Sequence, residues 1–184
     1  MKIKQLITIL IVILITGCDI FKSAEDLYSE AEAKRDIGDS KEALVTLKKI
    51  TNKFSDHEKA SKAQYLIAEI YYRDLRDFSK AINEYGMLRQ KYPESSQAPF
   101  SLFMQGFIYA NMLSNFEKAR NHYEEFLNKF SNHELAQSVQ FELKYLGIEI
   151  QEIPELKHLI KLSLIHISEP TRLRRMAYDG LWLK

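Results

Sequence analysis

Between Ala24 and Gly147 apolar residues recur three and four positions apart in short blocks separated by polar or proline-containing breaks, the pattern of amphipathic helices. The first block predicts a helix from Ala24, capped by Ser23, with Glu25 and Asp26 in its first turn and Leu27, Ala31 and Ile37 along its apolar side; Gly38-Asp39 breaks it. Ser40 is expected to cap a second helix carrying Ala43, Leu44, Leu47, Ile50 and Phe54. The next two blocks carry Ala63, Leu66, Ile67, Ile70 and Tyr71, then Phe78, Ala81, Ile82, Tyr85 and Leu88, and stop at Tyr92-Pro93, because proline cannot continue a helix. A third pair runs from Pro99 through Leu102, Gly106 and Tyr109, then from Phe116 through Ala119, Tyr123, Phe126 and Leu127 to Phe130. A last helix spans Ala136 to Leu146, ended by Gly147.

These blocks repeat. Gly106 and Tyr109 match Ala68 and Tyr71, and Phe116, Ala119, Tyr123 and Phe130 match Phe78, Ala81, Tyr85 and Tyr92, each pair 38 residues apart. Ala31, Ala43, Leu47 and Phe54 form a weaker first copy, so three units share one period, the mark of an array. Ala68 and Gly106 on the first helices, and Ala43, Ala81 and Ala119 on the second, are small where the helices must cross. This set of small and aromatic positions resembles the tetratricopeptide repeat over residues 24–147. The resemblance implies an all-α fold, a right-handed superhelical array of antiparallel helix pairs, with about three repeats plus a trailing helix. The first repeat departs from the pattern at Glu30 and Lys34, where apolar residues are expected, and the other two carry one extra residue in the internal turn.

The two ends are different material. Met1 to Lys4 is positive, and Leu6 to Ile15 is an apolar run broken only by Thr8, too short for a membrane span of about 20 residues. The run closes as Leu14-Ile15-Thr16-Gly17-Cys18, which resembles the lipobox of bacterial lipoproteins. That resemblance implies a signal peptide over 1–17, a covalent lipid of palmitate-like acyl chains on Cys18, and a lipidated tether over 18–23 that anchors the chain to a membrane. No other cofactor is expected. Asp19 resembles the inner-membrane retention signal of enterobacterial lipoproteins, so inner and outer membrane both stay open at this point. Residues 148–161 read as a trailing segment. The stretch Leu162-Ser-Leu-Ile-His-Ile-Ser-Glu-Pro-Thr-Arg172 resembles the conceptual translation of a sequencing adapter, so 162–184 is expected to be non-native and the natural sequence past Lys161 to lie outside the chain; the other reading is a basic tail around Arg172, Arg174 and Arg175.

Composition adds mainly exclusions. The 184 residues carry a net charge of +1, which gives no reason to expect nucleic acid, and the single cysteine allows no internal disulfide. Neither a CxxC pair nor an HExxH stretch occurs, the five histidines have no ligand spacing, and no nucleophile motif or phosphate loop is present, so neither a metal nor catalysis is expected. A stack of helix pairs instead offers a concave wall made by the first helices. Three residues before Ala31, Ala68 and Gly106 stand Tyr28, Tyr65 and Phe103; directly after them come Glu32, Glu69 and Phe107; further on come Tyr72, Arg73 and Asn111. Tyr28, Tyr65, Glu69, Tyr72, Arg73, Phe103, Phe107 and Asn111 are therefore the expected peptide-binding groove, with aromatics for affinity and charges for register. Packing of Tyr65 and Phe103 between repeats is the competing reading.

The order of lipobox, short tether and a first repeat of the form Leu27-Tyr28-Ser-Glu-Ala31, Gly38-Asp39, Glu42-Ala43 resembles the BamD family of β-barrel assembly lipoproteins. That resemblance implies a scaffold on the periplasmic face of the outer membrane, with protein partners of the cell envelope: a β-barrel assembly protein and substrate peptides. The alternatives are a repeat lipoprotein of cell-division coordination, which would normally bring a trimerising coiled coil that is missing here, and a regulator of peptidoglycan enzymes.

Overall fold

The computed structural model describes residues 22–149 and 152–153. The signal segment, Cys18, most of the tether and the adapter-like tail lie outside the described residues. Among those described there are seven α-helices and no strand: α1 (Ala24–Asp36), α2 (Ser40–Lys53), α3 (Glu58–Glu69), α4 (Phe78–Lys91), α5 (Gln97–Asn111), α6 (Phe116–Lys129) and α7 (Ala136–Lys144). None of the helices described is long and apolar enough to cross a membrane. The fold is the expected all-helical tetratricopeptide-like array, and the chain divides into two compact units, Met1–Ser101 and Leu102–Lys184.

The repeat is visible in the turns. The second helices begin on Asp39, Asp77 and Asn115, 38 residues apart, whose side chains accept the backbone N–H of Glu42, Lys80 and Lys118 at 3.3, 3.0 and 3.1 Å. Each cap thus satisfies a donor that the helix start leaves open. Asp39 takes this role and Ser40 is the first helical residue: Asp39, at φ −87° and ψ 62°, stands outside helical geometry and its carboxylate turns back to the Glu42 N–H. Before each cap stands a residue in the left-handed region, Gly38 (φ 85°), Arg76 (φ 56°) and Ser114 (φ 51°). Ile37 therefore lies in the turn and is 81% exposed, instead of continuing the apolar side of α1.

The extra residue of repeats two and three has a definite place. In repeat one the cap N–H of Asp39 reaches back five residues to Lys34 O, whereas Asp77 reaches six back to Tyr71 O and Asn115 six back to Tyr109 O. In repeat two the helix widens into a π-helical turn over Ile70–Asp74, with Leu75 N–H donating to Ile70 O at 3.0 Å. A single inserted residue is absorbed this way without losing the cap.

The second helices end with equal regularity. Phe54, Tyr92 and Phe130 each donate their N–H to the carbonyl four residues back, and each carbonyl then accepts from the residue three ahead. Phe130 does so without the following proline that Tyr92 has, so the aromatic cap and turn define the break. The breaks that follow contain His57 and His133, whose Nδ1 atoms accept the N–H of Lys59 and Leu135 at 3.1 and 3.2 Å. His57 is thereby the N-cap of α3, whereas His133 braces the turn before α7, whose N-cap is Leu135.

Within unit 1, α1 packs on α2, α2 on α3, α3 on α4, and α1 also touches α3 directly. Ala31, Ala43, Ala68 and Ala81 are fully buried at these crossings with Leu47, Ile50, Ile67 and Tyr85. Lys22 and Lys34 both bind Glu30 at 2.7 Å on α1, and Lys34 also donates to Thr46 of α2 at 3.0 Å, so the polar positions that depart from the repeat pattern form an ion-pair relay. Within unit 2, α6 packs on α7, and Gly106 lies under Tyr123, where an added Cβ would stand 2.6 Å from the ring. Gly147, with φ of +82°, closes the stretch after α7 against the Phe116 ring.

Two outcomes follow. Gly106→Ala should destabilise the protein by about 1–3 kcal/mol in urea unfolding, since the fully buried Tyr123 cannot move aside. The Glu30 carboxyl is held below its ordinary 4.5 by Lys22 first and Lys34 second, against burial. A lowered carboxyl gives stability that is present above that ordinary value and drains away as pH falls through the folded one. Glu30→Gln should therefore flatten the acid limb of stability against pH below about 4.5 and lower neutral stability by the same small amount, since the part-buried pair still meets water.

Candidate functional site

Unit 1 holds five of the eight expected groove residues, all on α1, α3 and the π turn. Tyr28 of α1 is half-buried, with the Lys59 ammonium 5.2 Å from its ring centroid. Tyr65 of α3 is also half-buried and meets Tyr85 of α4 edge to face, ring centroids 5.6 Å apart. One turn further along α3, Glu69 points inward: its side chain is 10% exposed, with Oε1 accepting the Tyr85 hydroxyl at 2.6 Å and Oε2 facing Arg73 Nε at 2.8 Å. Arg73, on the π turn, stays 48% exposed. Tyr72 is buried beside it, tilted against Phe78 with centroids 6.2 Å apart.

Arg35 extends this polar cluster from α1. Its Nε and Nη2 donate to the two Asp74 oxygens at 2.9 and 3.2 Å, and Ser40 Oγ donates to Asp74 at 3.0 Å, which ties repeat one to the π turn of repeat two. Burial works against the Arg35 charge, but Asp74, with help from Glu69, outweighs it and holds the guanidinium above its ordinary pKa. Nothing in a period of 38 reveals this bond between residues 39 apart.

Burial first, and the neighbouring Glu69 carboxylate second, push the phenols of Tyr65 and Tyr85 well above the usual tyrosine value. The cluster is thus a buried carboxylate held by one neutral phenol and one cation. Its outer members are an arginine and two tyrosine edges, which suit a peptide that brings an anionic group and apolar side chains.

Unit 2 holds Phe103, Phe107 and Asn111, and here the groove expectation is corrected. Phe103 is 1% and Phe107 5% exposed. Phe103 stacks on Tyr123 at 6.2 Å and meets Phe107 at 6.0 Å, and Leu102 to Ile108 of α5 are all buried. A helix apolar on every side buries every side, so these two aromatics are core. Asn111 is half-buried and turns its amide back to Phe107 O at 3.0 Å. The accessible part of the expected surface in unit 1 is Tyr28, Tyr65 and Arg73, with Glu69 and Tyr72 beneath. Cys18 lies outside the described residues, and among the described residues no group of three or more acids, histidines or cysteines could hold a metal.

A raised tyrosine pKa contributes stability that is complete below the ordinary value of 10.0 and is lost as pH rises above it. Tyr85→Phe should weaken that alkaline loss and cost about 1–2 kcal/mol near neutral pH by leaving a Glu69 oxygen without its donor. Urea unfolding at neutral and alkaline pH measures both, and an unchanged neutral stability would contradict the assigned bond.

Comparison with known proteins agrees with this architecture. No curated protein matches the chain. The family model described as an outer membrane lipoprotein, YfiO, matches residues 21–147, the entire helical array. The array of capped helix pairs spans that same stretch, and the chain belongs to the YfiO family of outer membrane lipoproteins, the BamD family.

Proposed function

We propose that the chain is a scaffold held by a lipid on Cys18 at the periplasmic face of the outer membrane, where it captures protein segments during β-barrel assembly. The observation that carries this reading is the family match over the full array, residues 21–147. Cys18 is the only cysteine, so a lipoprotein of this sequence has one place for its lipid. Each buried methylene of the acyl chains contributes about 0.8 kcal/mol, and more than one chain gives a stable anchor. Ser23 follows Cys18 by five residue steps, which at about 3.5 Å each keeps the start of α1 within roughly 18 Å of the lipid attachment point. The first two repeats would then work close to the bilayer that barrel proteins enter.

The partners that fit are envelope proteins: a barrel-assembly component, and unfolded barrel segments whose strands alternate apolar and polar residues. The tyrosines and Arg73 of unit 1 supply the stacking surface and the charge that such segments need. Asp19 raises the inner membrane as the other destination, and the family description favours the outer one.

Depletion of the protein in its own cells should lower folded barrel proteins in the outer membrane, and Cys18→Ser should fail to restore them while accumulating as an unanchored product. Unchanged barrel levels, together with septation or peptidoglycan defects, would overturn the assembly reading.

A further inference from the structure

The charges of unit 1 are sorted by layer. The first helices α1 and α3, which touch directly, carry seven acids and four lysines or arginines, whereas the second helices α2 and α4 carry seven lysines or arginines and two acids. Both of those acids turn towards the first helices: Glu84 accepts Gln64 Nε2 of α3 at 2.6 Å, and Glu42 lies 4.0 Å from Lys34 of α1. The cations stay outside. Lys41, Lys48, Lys53, Lys80 and Lys91 are exposed, and of these only Lys80 makes an ion pair among the described residues, with Asp77 at 2.7 Å. Lys48 and Lys80 stand 6.0 and 5.5 Å from the centroid of the Tyr71 ring, which joins the charges of α2 and α4 into one patch.

Helix chemistry does not require this patch. Lys53, Arg89 and Lys91 lie in last turns, where a cation offsets the negative helix end, but Lys41 and Lys80 lie in first turns, where it does not. The repeat does not require it either, since α6, the second helix of repeat three, carries three acids and three cations. Two apolar side chains share the face. Val45, 50% exposed, stands four residues after Lys41 and three before Lys48; Met87, 38% exposed, stands seven after Lys80 and four before Lys91. Helical spacing thus sets each among cations.

We propose that α2 and α4 form a membrane-contact face: their cations meet the phosphates of anionic phospholipids in the leaflet that holds Cys18, with Val45 and Met87 seated among the headgroups. This rests on the lipid anchor proposed above and adds the orientation of unit 1, with its first helices on the side away from the bilayer. Reach favours a lipid surface over an acidic protein. Five residue steps from Cys18 to Ser23 span about 18 Å at most, and α2 packs on α1 at a usual spacing of about 8–10 Å, so this face stays near the leaflet. Each cation close to a negative leaflet strengthens binding about fivefold, and apolar side chains on a basic face add to it.

The test uses the full chain, purified from its own cells and reconstituted in vesicles of phosphatidylcholine alone or with about 30% phosphatidylglycerol, both carrying a lipid-borne quencher. A fluorophore is attached at one introduced cysteine: Asn52→Cys on α2, Gln90→Cys on α4, or Ser29→Cys on α1, all at exposed positions. Wild-type protein, whose only cysteine is Cys18, should take up no label. The α2 and α4 labels should be quenched about twofold more than the α1 label on the anionic vesicles. That excess should vanish on phosphatidylcholine, in about 0.5 M salt, and in the triple variant Lys41→Gln, Lys48→Gln, Lys80→Gln, whose helical content circular dichroism checks.

Equal quenching of all three labels on the anionic vesicles overturns the inference and leaves the anchor standing, as does an excess that survives both salt and the triple variant. Crosslinks from position 90 to an acidic protein in intact cells, with no quenching on vesicles, assign the face to a protein instead. Labelling of wild-type Cys18 sinks the anchor and the inference together.

Discussion

The array depends on the close approach of paired helices over residues too small to keep them apart. Ala31, Ala43, Ala68, Ala81, Gly106 and Ala119 stand at these contacts, and the large rings of Tyr85 and Tyr123 lie fully buried among them. Gly106 shows how tight the limit is, because even a methyl group would meet the Tyr123 ring. The fixed spacing sets where everything else can be: with the axes held, the caps at Asp39, Asp77 and Asn115 and the aromatic ends at Phe54, Tyr92 and Phe130 fall 38 residues apart. The π turn of repeat two belongs to the same logic. It takes up one surplus residue so that the next cap and the next buried tyrosine stay in register.

The same tyrosine position serves two ends. In repeat three Tyr123 stacks with Phe103 and turns its hydroxyl to the buried Glu142 of α7, an acid from the following helix, at 3.5 Å. In repeat two Tyr85 gives its hydroxyl to Glu69, which faces Arg73, while Arg35 of the neighbouring repeat joins the cluster through Asp74. A repeat protein can vary one unit in this way because each unit's stability comes mostly from itself and its neighbours. Unit 1 therefore carries both the helices nearest Cys18 in sequence and the polar surface around Arg73.

Much of this was legible in the sequence. Helix existence, the period, the small positions and the break after Tyr92 follow from apolar spacing and proline, and the structure places them as read. Ile37 was misread because its apolar side chain continued the spacing of Leu27 and Ala31, while Gly38 needed the turn one residue earlier. Phe103 and Phe107 were misassigned by equivalence with Tyr65 and Glu69. The corrective signal was present, since Leu102 to Ile108 has no charged residue and so no solvent face. The ion pairing of Arg35 with Asp74 depends on where two repeats meet in space, which a one-dimensional pattern does not carry.

The central claim is that the surface around Tyr65 and Arg73 meets barrel proteins in the envelope. The most direct measurement replaces Tyr65 by a photo-crosslinking amino acid in the full chain, irradiates intact cells and identifies the adducts by mass spectrometry. The account predicts adducts with a β-barrel assembly component or with unfolded barrel segments, absent when the crosslinker stands at exposed Val45 on α2 instead. Adducts confined to division proteins or peptidoglycan enzymes, or the same adducts from both positions, would contradict it.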